Sequence, residues 1–318
     1  MPKRSNPVVN AALLAFSAAA FIPGVSCSNS NKSGSSGGEA SLSGGSSSGG
    51  SGGGLAGLIG ALPFQGAGDV AKGMKLGGAL MQFVDADAIA NDPAAKLSFG
   101  ESIAVAVTNQ TPLTANESLN RYVTLVGLVL VKASNNPDLD MQFGVVESDK
   151  PNAVSAPHGA IFITTGAIKR LRDESELAGV LAHEISHVLK NHGMKAYAEA
   201  SKSDAFVRGL SAASNDAARW QVVIDGGVEA VVVKGYDKKT EFEADAAAAA
   251  LCRSAGYDPA GLQRFLERLE QESPSRDGGI SGLMSTHPGR PERIDRLKKL
   301  AGGATGATMP ERFAASTR

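Results

Sequence analysis

The stretch LAHEISHVLKNHG, residues 181–193, decides the fold class of this chain. It contains no Gly or Pro before Gly193, so we expect a helix that ends at that glycine. His183 and His187 are four residues apart, and such residues lie on the same face of a helix. Two neutral imidazoles in this arrangement can bind one zinc ion, and Glu184, about 100° around the helix, can reach a water molecule beside the metal. The alternative is that two histidines share one face of an ordinary helix.

A catalytic zinc site needs a third protein ligand, and a helix further along the chain offers a candidate. The segment KKTEFEADAAAAAL, residues 238–251, favours helix and places Glu241 and Asp245 on one face, while Glu243 points elsewhere. Its alanines allow close packing against a neighbouring helix, which two helices that share a metal require. Taken alone, an acidic helix of this kind is more often a solvated surface.

A second zinc arrangement, with a third His six residues after the HEISH motif, does not fit the spacing. The position six residues beyond His187 is Gly193, and His192 comes one residue too early. We therefore interpret His192 as a helix-end residue that interacts with the helix dipole.

The rest of the folded part combines many helices with a few strands. LDMQFGVVE at 139–147 and AIFIT at 160–164 have the composition of strands and are separated by the turn-prone segments SDKPN and APHG. The helical patterns lie at residues 118–132, 166–172, from Asp173 or Ser175 into HEISH, 196–213, 238–254, 259–271 and 290–300. The sequence therefore predicts a helix-dominated α+β fold, and Cys252 is expected to be a small core residue on one of its helices.

The N-terminal part predicts export from the cytoplasm. Residues 1–26 have Lys3 and Arg4 before an apolar core too short to span a bilayer, as in a signal peptide of the lipoprotein type. Cys27 then follows small residues and is the expected lipidation site; the alternative is a simply secreted protein. Residues 27–54 are almost entirely Ser, Gly and Asn, and we expect them to form a disordered tether.

The charge balance argues against nucleic acid as a partner. The chain has 31 Lys and Arg against 32 Asp and Glu, which gives a net charge of −1. A protein that binds the phosphate backbone usually carries a basic surface. We therefore expect no nucleic-acid partner.

Three motifs, in chain order, resemble those of one enzyme family. They are NAVSAPHGAIFITTGAIKRLRDESELAGVLAHEISHV at 152–188, EFEAD at 241–245 and STHPGRPERIDRL at 285–297. All three are similar to motifs of zinc metallopeptidase family 48, which includes CAAX-prenyl proteases, HtpX and the YggG-like and BepA-like periplasmic proteases. The resemblance implies a zincin-like metalloprotease domain with a small β-sheet beside the active-site helix.

The resemblance assigns roles to the residues that match these motifs. It implies that His183, His187 and Glu241 bind one zinc ion per subunit and that Glu184 is the general base. Asp245 would accept a hydrogen bond from a ligand imidazole, that of His183, and fix its tautomer.

Other matching positions receive more peripheral roles. His287 would either stabilise the tetrahedral intermediate or occupy the open coordination position in a closed state, and Arg293 is expected to pair with an acidic side chain. His158 stands where the family usually has Gly, and we expect it to face solvent. The strand formed by Ala160, Ile161, Phe162, Ile163 and Thr164 resembles the sheet edge that binds substrate by backbone pairing.

The resemblance thus predicts a zinc-dependent endopeptidase of the bacterial cell envelope. Its partners would be unfolded or misassembled envelope polypeptides and, through the lipid on Cys27, the periplasmic face of the outer membrane. The alternatives are a lipid-tethered chaperone or assembly factor with little proteolysis and, more weakly, a zinc hydrolase of cell-wall amides. The expected domains are the signal at 1–26, the tether at 27–54, a Gly-rich and helical segment at 55–117, the catalytic domain at 118–303 and a flexible tail at 304–318.

Overall fold

A computed structural model describes residues 93–272, 287 and 290–317 of the chain. The expected signal peptide, Cys27, the tether and the first part of the Gly-rich segment lie outside the described residues. The elements, in chain order, are α1 (Pro93–Gln110), α2 (Glu117–Ala133), β1 (Gln142–Val146), β2 (Ala153–Ser155), β3 (Ala160–Thr164), α3 (Thr165–Ile168), α4 (Glu174–Leu189), α5 (His192–Ala200), α6 (Asp204–Ala212), α7 (Asp216–Val228), a π-helix (Glu229–Lys234), α8 (Lys238–Ser254), α9 (Gly261–Glu272), α10 (Arg290–Ala301) and α11 (Pro310–Thr317). The predicted helix-dominated α+β fold is confirmed.

Helix α4 carries HEISH, and it begins at a well-defined cap. Asp173 accepts a hydrogen bond from the Glu176 amide at 3.0 Å, as N-cap residues do. The predicted end at Gly193 is wrong, since the helix stops at Leu189 and Gly193 belongs to α5. The reason lies at Asn191, which adopts the left-handed conformation (φ 54°) that terminates a helix and that Asn tolerates better than most residues.

The sheet has three strands in the order β1-β3-β2, with β1 parallel and β2 antiparallel to β3. The expectation that Ala160–Thr164 forms an edge of the sheet is therefore wrong. That strand is β3, and its backbone is paired with neighbours on both sides. The edge strands are β1 and β2, and β2 is a three-residue strand that lies between the two turn-prone segments of the sequence. A run so short has too little alternation to be recognised from sequence.

Helix α4 is buried along nearly its whole length because other elements surround it. Its contacts include α2, α8 and α9, and its own Leu177, Leu181 and Ile185 belong to the main hydrophobic core. Gly179 permits the close approach of α9, since a Cβ at this position would lie 2.6 Å from the Leu262 amide nitrogen. The buried α4 therefore holds its polar residues in a fixed place within the core.

A helical region between α4 and α8 departs from the prediction of one helix over 196–213. Two helices, α5 and α6, occupy that range, followed by α7 and the π-helix, neither of which was predicted. Phe99, Tyr197 and Phe206 join this region and α1 in a second hydrophobic cluster. The π-helix ends before Gly235, whose positive φ (66°) turns the chain towards α8.

The C-terminal residues differ from the expected flexible tail, because 310–317 form α11. Phe313 is buried against Tyr122, and Arg312 forms an ion pair with the buried carboxylate of Glu174. Cys252 is buried in the main core, as expected, and burial raises the pKa of its thiol to about 12. Within the part of the chain that the structure describes, no helix has the length and apolar character needed to cross a membrane.

Candidate metal centre

Two helices and one loop residue converge on a buried group of four possible metal ligands. Helix α4 contributes His183 and His187 from successive turns, and α8 contributes Glu241 from its first turn. His287, which precedes α10, completes the group. All four side chains are at least nine-tenths buried, so the group lies inside the protein rather than on its surface.

The distances between the ligand atoms are close to those of a tetrahedral metal site. The Nε2 atoms of His183 and His187 are 3.0 Å apart, and they lie 3.4 and 3.5 Å from the two carboxylate oxygens of Glu241. A zinc ion bound at about 2.0–2.1 Å separates neighbouring tetrahedral ligand atoms by about 3.4 Å. The side chains of this group therefore fit a zinc ion.

His287 supplies the fourth corner of this arrangement. Its Nδ1 lies 3.3 Å from Nε2 of His183 and 2.9 Å from Oε1 of Glu241. A catalytic zinc site usually keeps its fourth position for water or substrate. The structure therefore has His287 in the place where a reacting molecule would bind.

Glu184 lies beside the group and presents its two oxygens differently. Oε2 accepts a hydrogen bond from the Ser155 hydroxyl at 2.9 Å, while Oε1 lies 3.5 Å from Nε2 of His287. Ser155 belongs to the edge strand β2, which thereby orients Glu184. Ser155 could not be predicted from the sequence, since a lone Ser in a short strand carries no recognisable pattern.

Asp245 and Arg293 form a second layer around the ligands. Asp245 Oδ1 lies 3.1 Å from Nδ1 of His183, the contact expected from the family resemblance. The buried guanidinium of Arg293 contacts Asp245 at 2.8 Å and Glu241 at 2.6 Å. Arg293 thus pairs with two acidic side chains and compensates their buried charge.

The electrostatics of the centre favour the ligating forms of Glu241 and His187. Burial disfavours the charge of Glu241, but the charges of His287 and Arg293 outweigh it and hold the pKa of Glu241 well below its usual value. Burial, together with the positive charges of neighbouring histidines, lowers the pKa of His187 well below its usual value. The carboxylate is therefore charged and the imidazole neutral, as metal ligands must be.

His183 behaves differently from His187. Burial opposes its charge, but hydrogen bonds to Asp245 and Glu241 are stronger and raise the pKa of His183 to about 9. A metal ion would therefore displace a proton from His183 at neutral pH.

Comparison with known proteins assigns the chain to a family. Peptidase family M48 matches residues 117–301, which is more than half of the chain and contains the whole centre. The chain belongs to peptidase family M48. The family resemblance stated from the sequence motifs is thus confirmed.

Several curated relatives match this M48 chain. It is 24% identical to the beta-barrel assembly-enhancing protease of Escherichia coli (strain K12) over 204 residues, which are 61% of this chain and 41% of the relative. It is 28% identical to mitochondrial metalloendopeptidase OMA1 of Schizosaccharomyces pombe over 180 residues, 56% of this chain and 52% of the relative. It is 27% identical to a protease HtpX homolog of Aquifex aeolicus over 200 residues, which are 49% of this chain and 65% of the relative. The matched region thus spans about half of these relatives' length.

The M48 centre has further residues around His187 that the sequence did not predict to lie there. His192 was expected to interact with a helix dipole, but its Nδ1 lies 2.9 Å from Nδ1 of His187. It stands in the first turn of α5 because the preceding helix ends earlier than expected. Tyr236 stacks on the other side of the same ligand, with ring centroids 4.1 Å apart and planes 14° apart.

His158 does not belong to the group of possible metal ligands in the M48 centre. It is half-buried rather than facing solvent, because its side chain packs against α1 at Gly100, where a Cβ would lie 2.6 Å from the His158 Cβ. Burial lowers the pKa of His158. The departure from the family's Gly at this position therefore contributes to packing.

Proposed function

We propose that this protein is a zinc-dependent endopeptidase, with His183, His187 and Glu241 as the ligands of one zinc ion per chain. The observation that carries the proposal is the near-tetrahedral spacing of four buried ligand atoms next to the carboxylate of Glu184. Membership of peptidase family M48 supports the same activity. Asp245 would hold the His183 ring in the tautomer with its proton on Nδ1, which leaves the lone pair of Nε2 free for the metal.

Zinc, when bound, acidifies a water molecule and polarises the peptide carbonyl. Glu184 would act as the general base, since one of its oxygens is held by Ser155 and the other faces the ligand group. It takes the proton of the attacking water and then donates that proton to the leaving amine nitrogen. One carboxylate thus serves as base and acid, and no covalent intermediate with the protein forms.

We interpret the position of His287 as that of a closed form of such an enzyme. His287 Nδ1 stands at the fourth ligand position, and its Nε2 stands where Glu184 would meet a water molecule. Of the two roles expected for His287, occupation of the open coordination position agrees with this placement. His287→Ala should therefore increase casein cleavage, and a loss of cleavage would favour the role in stabilising the intermediate.

We place substrate binding on β2 instead of β3, because an extended chain can pair only with an edge strand, and the outer side of β1, the other edge, already pairs with Leu113. The name of the E. coli relative refers to beta-barrel assembly. By analogy, the substrates would be unfolded or misassembled envelope polypeptides. The chain would be exported and lipid-anchored through Cys27 at the periplasmic face of the outer membrane.

The test compares the wild type with Glu184→Gln in metal analysis and in cleavage of unfolded casein. We expect one zinc per chain in both proteins and a loss of cleavage of at least about 100-fold in the variant, the usual share of a general base. Glu267→Gln, which alters a carboxylate on α9 paired with Lys298, is the matched control and should cleave like the wild type. Undiminished cleavage by Glu184→Gln would remove Glu184 from the mechanism.

The same variant separates proteolysis from a chaperone role in cells. A protease requires Glu184, so Glu184→Gln should not complement a deletion of the gene. Full complementation by this variant would favour the alternative of a lipid-tethered assembly factor.

A further inference from the structure

The ligand His187 has an outer nitrogen that faces another histidine. Its Nε2 points into the ligand group, and its Nδ1 lies 2.9 Å from Nδ1 of His192. Both side chains are almost completely buried, with exposed fractions of 1% and 2%. At this distance the two Nδ1 atoms must share one proton, since two lone pairs or two N–H groups would repel each other.

Binding of a metal determines whether His187 or His192 carries that proton. A metal on Nε2 of His187 uses the lone pair of that atom, so the proton of the neutral ring must be on Nδ1. We propose that His192 is a positioning residue that accepts this Nδ1–H and thereby fixes the tautomer and the ring orientation in which His187 binds zinc. The inference rests on the proposed zinc site and adds to it a residue outside the HEISH and EFEAD motifs.

The surroundings of His192 keep its Nδ1 available as an acceptor. A neutral His192 that accepts at Nδ1 carries its own proton on Nε2, and that atom has no hydrogen-bond partner among the described residues. The carboxylate of Glu243 lies 3.7 Å from this Nε2. Its negative charge favours the tautomer with a proton there. Helix α8 therefore contributes Glu241 as a ligand and, two residues later, Glu243. The charge of Glu243 orients His192, which is the partner of the ligand His187.

Tyr236 restricts the remaining freedom of the ligand ring. It covers one face of His187 at a centroid distance of 4.1 Å, while His192 meets the edge. Stacking fixes the plane of the ring but allows two orientations that differ by a 180° rotation about the Cβ–Cγ bond, and the hydrogen bond to His192 selects one of them. The two contacts together leave His187 one orientation.

Three substitutions of His192 in the full chain separate hydrogen bonding from packing. His192→Asn places an acceptor oxygen near the position of Nδ1, His192→Gln places it near the position of Nε2, and His192→Phe keeps a ring without an acceptor. The zinc dissociation constant is measured by competition with a chromogenic chelator. We expect a 10- to 100-fold weaker affinity for the Phe and Gln variants, the usual cost of losing such a partner. The Asn variant should stay within about 3-fold of the wild type on the same scale.

A second readout reports on the ligand geometry directly. In the cobalt-substituted protein, the visible absorption bands should shift in His192→Phe and remain at the wild-type position in His192→Asn. Thermal unfolding of each zinc-free variant shows whether it is folded. His158→Phe, which alters a half-buried histidine away from the centre, is the control and should bind zinc like the wild type.

The outcomes distinguish this inference from the proposed function. If the wild type binds zinc and His192→Phe binds it equally well, the role of His192 is overturned while the zinc site stands. If His192→Asn loses as much affinity as His192→Phe, the contact acts by packing and the inference is again overturned. A wild-type chain that binds no zinc overturns the proposed function, and the inference with it.

Discussion

Replacement of Arg293 by Met should destabilise the zinc-free protein strongly and the zinc-loaded protein less. The Arg293 side chain is 1% exposed and contacts both Glu241 and Asp245, at 2.6 and 2.8 Å. Its removal leaves two buried carboxylates without their shared counter-ion. Breaking a buried ion pair in this way costs about 3–5 kcal/mol in the free energy of unfolding.

Zinc should reduce this loss because it brings positive charge to Glu241. What the loaded variant still lacks are the charge-assisted hydrogen bonds to Asp245, worth about 1.5–3 kcal/mol. The difference between the two losses, about 1.5–2 kcal/mol, must appear as a change in zinc affinity, because the two measurements close one thermodynamic cycle. Folded Arg293→Met should therefore bind zinc about 10- to 30-fold more tightly than the wild type.

The assay is urea unfolding of both proteins with saturating zinc and with a chelator, together with a direct zinc titration. Arg253→Met removes an arginine that donates to the Leu300 carbonyl oxygen at the surface, and it should cost less than about 1 kcal/mol in either state. Equal losses of stability with and without zinc would refute the reasoning. So would weaker zinc binding by the variant, which would show that Arg293 acts mainly by positioning Asp245.

Three further predictions concern the scaffold. Burial disfavours the charge of Glu174, but three hydrogen-bond donors, among them Arg312, outweigh it and lower the pKa of this carboxyl group. The stability that the carboxylate contributes is therefore present above about pH 4.3, its pKa in the unfolded chain, and is lost as pH falls through its lower pKa in the folded protein. Urea unfolding of Glu174→Gln should accordingly show a weaker acid dependence than that of the wild type. Gly179→Ala forces a Cβ against Leu262 of α9 and should cost about 1–3 kcal/mol in the free energy of unfolding, so a neutral result would contradict the close helix approach. Phe313→Ala should cost about 3–5 kcal/mol, whereas a flexible C-terminal tail would tolerate it.

Local sequence patterns predicted those elements whose signals lie within one turn or one strand. Helix α8 has the predicted bounds, Lys238–Ser254, because Asp237 caps it and a run of strong helix formers follows. Strand β3 also has its predicted bounds, since apolar and β-branched residues lie between two turns. The HEISH motif and its spacing placed two histidines on one helix face, and the EFEAD motif placed Glu241 and Asp245 on another.

Errors arose where a short segment takes its structure from its neighbours. The three residues of β2 form a strand because β3 offers free backbone groups, and β3 is central because both β1 and β2 pair with it. Neither fact is contained in the alternation of AIFIT. Helix α11 likewise exists through Phe313 and through the ion pair of Arg312 with Glu174, 138 residues away in sequence.

The sequence by itself determined the class of the fold, the family and the residues able to bind a metal, because spacing along a helix is a local property of the chain. Only the tertiary structure decided how these residues meet. It brought α4 and α8 together and placed His287 at the fourth ligand position. It also turned His192 from an expected helix-end residue into the partner of His187. Such contacts depend on where distant segments pack, and that is set by the burial of the whole core rather than by any short stretch of sequence.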